Sequence, residues 1–173
     1  MNSGEGRLVD RLDAIAREAT PTLLTLLLII LDAIPLRVPQ LAVIMPAFAL
    51  MAVYYWTLYR PDLVPAPAVF GIGLFQDILG GGPLGVDAFV LLAVHGVVLT
   101  QRRVLMRRPF AVGWAGFVAV ALGAFVVNWI VMAVLSLSLF NPLAAGLQYV
   151  MTVALYPPVA WLLAAVHRAW LRG

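Results

Sequence analysis

Long apolar blocks, separated by short segments that hold nearly all of the arginines, run from residue 21 to residue 165. A block of about 20 apolar residues is the length a helix needs to cross bilayer hydrocarbon. Six such blocks are present, over residues 21–36, 41–59, 63–79, 86–100, 110–137 and 143–165. The pattern predicts an all-α membrane protein, a bundle of six transmembrane helices forming one domain over residues 21–173. The third and fourth blocks are short for hydrocarbon roughly 30 Å thick, and the fifth is long enough to tilt. Charged residues make up only 11% of the 173, against roughly 25% in soluble domains, which is too little to coat a water-facing globule.

The arginines orient the bundle. Segments that would face the cytoplasm hold Arg7, Arg11, Arg17, Arg60, Arg102, Arg103, Arg107, Arg108, Arg168 and Arg172, and the opposite side holds Arg37 alone. Under the positive-inside rule this predicts both termini in the cytoplasm. The same placement removes nucleic acid as a partner, although the net charge is +3, because the basic residues flank spans instead of forming a patch. Residues 1–20 read as a cytoplasmic segment, acidic as well as basic, and not as a cleaved signal. Leu8, Leu12 and Ile15 give residues 7–18 one apolar face, which suits a helix on the membrane surface or a solvated helical lead-in. Tyr54, Tyr55, Trp56 and Tyr59 are expected as an aromatic belt at the inner end of helix two, with His167 and Trp170 doing the same for helix six.

Breakers and small residues mark the helices. Pro46 lies inside helix two or marks its start, and Pro157 with Pro158 is expected to kink helix six. Ala111, Ala115, Ala119 and Gly123 recur every four residues on helix five. Small side chains at that spacing let a neighbouring helix approach closely, either within the monomer or from a partner.

Ionisable groups at membrane depth are costly and carry a functional hypothesis by default. The segment from Phe75 to Asp87 concentrates them. Gly82, Pro83 and Gly85 belong to a glycine-rich turn between helices three and four, with Asp77 before it and Asp87 after it. Asp87 opens a helix, where free amides suit a carboxylate, so capping suffices for it. Asp77 ends a helix, where the dipole opposes it, and so needs a partner. Arg37 is the candidate, which predicts an outer polar cluster of Asp32, Arg37, Asp77 and Asp87. His95 and Asn128 fall at similar depth, each about 13 Å from the outer end of its helix, and are expected to hydrogen-bond across helices. Gln148 is a similar intramembrane polar residue.

Enzyme patterns fare poorly. Cysteine is absent, so thiol chemistry is excluded. No serine nucleophile elbow, two-histidine zinc motif or P-loop occurs. One histidine and scattered carboxylates do not make a metal site, and no cofactor is indicated.

Two stretches carry a family resemblance. Residues 46–61 (PAFALMAVYYWTLYRP) and residues 71–85 (GIGLFQDILGGGPLG) resemble the motifs of MreD, the rod shape-determining membrane protein family. A proline-led helix ends in Y-W-x-L-x-R-P, and a G-L-x-x-D turn with P-L-G follows. The resemblance implies a non-catalytic scaffold of the bacterial cell-wall elongation machinery in the inner membrane. It implies binding to MreC, and links to RodA, a class B penicillin-binding transpeptidase and, indirectly, MreB. It places Tyr55, Trp56, Arg60 and Pro61 at the inner face and the turn from Asp77 to Gly85 outside. The family is similar in fold to substrate-binding components of energy-coupling-factor transporters. A vitamin transporter component, its outer aspartates binding a cationic ligand, is therefore the rival expectation.

Overall fold

The structure is a computed structural model that describes residues 22–30, 45–136 and 142–170, without the Trp170 side chain. The expected N-terminal amphipathic helix, and with it Asp32 and Arg37, lie outside these residues. Six helices are described: α1 (residues 22–30), α2 (Phe48–Tyr59), α3 (Ala66–Gly80), α4 (Val86–Leu105), α5 (Phe110–Ser136) and α6 (Pro142–Trp170). No strand occurs among the described residues. Of these helices, α4, α5 and α6 are long and apolar enough to cross a membrane, whereas α2 and α3 are shorter apolar helices.

The chain runs back and forth between two ends of the bundle. One end carries the α3–α4 turn. The other gathers the arginine segments: Arg102 lies within electrostatic reach of Asp62, and Arg168 within reach of Tyr55. The Trp56 and His167 rings stack there, their centroids 5.9 Å apart.

Helix α2 is the centre of the bundle. It packs on α3, α4 and α6, and every residue from Ala49 to Leu58 is buried. This overturns the aromatic-belt expectation for Tyr54, Tyr55 and Trp56. A belt needs side chains facing the lipid headgroups, and a helix enclosed on all sides has none to offer. The Tyr54 hydroxyl instead donates to the Gly113 carbonyl at 2.8 Å and ties α2 to α5. Its ring sits edge-on to Phe117 and Tyr156, which stack on each other at 4.0 Å. Pro46 precedes helix α2, whose first turn is closed by the Met51 amide donating to Ala47. The Ala47 amide, left over at that start, donates to Thr152 Oγ1 of α6 at 3.0 Å.

Helices α3 and α4 approach most closely at Gly73. A Cβ there would fall on the Ala88 backbone, so this crossing requires glycine. Helix α5 buries Gly113, Phe117, Ala121 and Ala124. Ala111, Ala115, Ala119 and Gly123 are all exposed, so the described helices do not pack on them. The two stripes are offset by two residues, about 200° around a helix, so only one of them can face inward.

Helix α6 continues unbroken through Pro157 and Pro158. Pro157 has no amide hydrogen to give the Val153 carbonyl one turn earlier. The Trp114 indole of α5 donates to that carbonyl at 3.2 Å. A neighbouring side chain thus satisfies the acceptor that the proline left open.

Candidate functional site

The α3–α4 turn is built by two glycines. Gly81 caps α3 at φ +66° and Gly85 precedes α4 at φ +97°, a backbone region open to residues without a Cβ. These torsions swing the first amides of α4 toward α3. Asp77, 3% exposed, accepts from the backbone amides of Gly85 at 2.8 Å, Asp87 at 3.0 Å and Ala88 at 3.5 Å. A helix N-terminus offers free N–H groups and the positive end of its dipole, and these compensate the buried carboxylate.

The sequence assigned the cap differently, and its expected pairing of Asp77 with Arg37 falls outside the described residues. It gave capping to Asp87 and sought an arginine for Asp77. In the structure Asp77 caps α4 from the neighbouring helix, and the Asp87 side chain is released to face α5. There it accepts from Asn128 Nδ2 at 2.9 Å, with Gln76 as a second polar neighbour. The expected pairing of His95 with Asn128 does not form. His95 Nδ1 shares a hydrogen with Thr57 Oγ1 at 2.8 Å, both side chains buried. Asn128 sits level with the first turn of α4, because the 27-residue α5 overruns its 20-residue neighbour α4 and shifts its polar residue toward the turn.

Asp87 and Asn128 border a cavity of about 340 Å³ at the turn end of the bundle. Gln76, Trp129 and Gln148 complete its polar edge, and Leu50, Val90, Leu91 and Phe125 form much of its apolar wall. Gln76 Oε1 is buried and has no hydrogen-bond partner among the described residues. Gly82 of the turn lies beside Met132 at the rim: a Cβ there would stand 3.4 Å from Met132 Cε. Pro83 follows in the same exposed turn. Sequence reasoning singled out Asp87, Asn128 and Gln148 but missed Gln76 and Trp129. Gln76 was open to the same argument, as a polar residue at membrane depth one position before Asp77.

The other end of the bundle holds the second motif. Tyr55 and Trp56 are core residues. Arg60 pairs with Asp62 at 3.1 Å on the surface, and exposed pairs of this kind contribute little. Slight burial, the largest single influence, raises the Asp62 carboxyl, but the Arg60 hydrogen bond, a local backbone hydrogen bond and the charges of Arg60 and Arg102 together outweigh it and hold the group below its ordinary range. Pro61 starts the turn that leads to the buried Val64.

Neither a curated protein nor a solved structure matches the chain. The family model described as "rod shape-determining protein MreD" matches residues 14–166. Those residues hold both motif stretches, the glycine turn with its Asp77 cap and the cavity behind it, and the chain belongs to the MreD family.

Proposed function

We propose that the chain is a non-catalytic scaffold of the cell-wall elongation machinery that holds MreC in the inner membrane. Membership of the MreD family implies a role in determining rod shape. On this proposal the bundle has six spans with both termini in the cytoplasm, and the glycine turn faces outward. RodA and the class B penicillin-binding transpeptidase are reached through MreC, and MreB indirectly.

The observation that carries the proposal is the free face of α5. Ala111, Ala115, Ala119 and Gly123 form an exposed small-residue stripe that the described helices leave uncovered. In lipid, where apolar burial gives no net drive, helices associate by close packing, and small residues permit it. A single-span partner helix such as that of MreC fits this face.

The test is co-purification of MreC with the full chain in mild detergent. Joint replacement Ala115→Leu and Ala119→Leu is expected to lower MreC recovery about tenfold or more, with thermal unfolding of the variant unchanged. Undiminished recovery of MreC with a folded variant would overturn this docking face.

The cavity favours a second reading, a substrate-binding component of an energy-coupling-factor-type transporter. Its mark would be co-purification of an ATPase module in place of MreC.

A further inference from the structure

The bundle carries two acidic side chains beside one another at the turn end, and their electrostatic circumstances differ. Asp77 accepts hydrogen bonds from three amides of α4. Asp87 receives hydrogen bonds only from the uncharged side-chain amides of Asn128 and Gln76, and among the described residues no cation stands within ion-pair distance of it. A carboxylate can accept about four hydrogen bonds, so Asp87 retains acceptor capacity on the cavity side. Gln76 Oε1 adds a buried acceptor that meets no donor among the described residues. The polar edge of the cavity is therefore rich in acceptors and negative in charge. Apart from the Gln148 amide its other walls are mostly apolar, and the rings of Phe125 and Trp129 border it.

We propose that this cavity binds a small organic cation, a protonated amine carried on a compact apolar body. The ammonium would meet Asp87 and Gln76 Oε1, since a charge taken out of water is held only where it is paired and hydrogen-bonded. The aromatic rings suit the same group, because a ring face attracts a cation. The apolar body would fill the space between Leu50, Val90 and Leu91. At about 340 Å³ the cavity sits near the lower end of the roughly 300–1,000 Å³ typical of small-molecule sites, which limits the body to about one ring or a short chain. The proposal does not depend on which protein docks on α5, and its test uses the chain without a partner.

Calorimetric titration of the full chain in mild detergent, with phenethylamine against its uncharged counterpart 2-phenylethanol, decides it. The amine is expected to saturate a single site at least about tenfold more tightly than the alcohol, as one charge-assisted contact would give. Asp87→Asn is expected to erase that preference. Ala124→Leu, which fills the cavity from the buried face of α5, is expected to abolish binding of both compounds. Equal affinity for amine and alcohol in the native chain overturns the proposal without any variant being needed. It also fails if a folded Asp87→Asn chain keeps the preference, or if the amine binds only once Arg37→Ala is introduced. The last result would mean that the cation belonging to Asp87 is the chain's own.

Discussion

Asp77 and Asp87 show what a sequence conveys at the scale of one residue and what it withholds. Both carboxylates were legible as exceptional, because ionisable groups are rare in such apolar surroundings and each needs compensation. Their division of labour was not legible. It depends on the rotation of α4 against α3, which the positive φ values of Gly81 and Gly85 set, and on the close crossing at Gly73 that brings the α4 amides over Asp77. Sequence distance to a helix terminus favoured the nearer aspartate as the cap, whereas the tertiary turn chose the farther one. The consequence is measurable. Asp77→Ala removes three amide contacts to a buried charge and leaves the amides facing apolar surroundings, for an expected loss of about 2–3 kcal/mol. Asp77→Asn keeps one side-chain oxygen as an acceptor and should cost about 1 kcal/mol. Unfolding in detergent measures both. Equal stability of the alanine variant and the native chain would refute the capping role.

At the scale of elements, the helices that were easiest to find were the hardest to orient. Helix α5 matches its apolar block almost residue for residue, because 27 residues without a charge leave little else to form. That uniformity is also why its inward face could not be read. With apolar or small residues on every side, two stripes of small residues compete, and only the neighbours decide between them. The buried stripe through Gly113, Phe117, Ala121 and Ala124 was chosen by the bulky Tyr54 and Tyr156 rings that pack against Phe117. Helix α6 poses the reverse case, since its prolines were obvious and the compensation was not. Trp114 donating to Val153 links the exposed side of α5 to the acceptor that Pro157 opens. Trp114→Phe should therefore destabilise the bundle by about 1 kcal/mol, in line with hydrogen bonds inside lipid. In a Pro157→Ala background the helix regains its own donor, and the same change should be nearly neutral. A double-mutant cycle in denaturant titration reads the coupling directly. Equal effects in the two backgrounds would show that the indole bond does not serve the proline.

At the scale of the whole molecule, hydropathy was the most faithful guide. The blocks from residue 86 onward coincide with α4, α5 and α6 to within a few residues, except that α4 extends to Leu105 and α6 to Trp170, each taking basic residues into its last turn. Packing order was beyond its reach, because hydropathy makes every block equally apolar and so cannot reveal that the short α2 lies at the centre. Charge adds a second global property. Among the described residues, the arginines of the loops and helix ends collect at one end of the bundle, and Asp77 and Asp87 stand at the other. The proposed orientation, which follows from arginine being retained on the cytoplasmic side, puts the glycine turn outside and the α4–α5 loop inside. Because the chain has no cysteine, a single introduced thiol reports alone. Leu84→Cys in the exposed turn should react with a membrane-impermeant maleimide in intact cells. Arg107→Cys, in the exposed loop after α4, should react only once the inner membrane is opened. The reverse pattern would invert the bundle and place the Asp87 cavity on the cytoplasmic side, where any cation it binds would have to come from inside the cell.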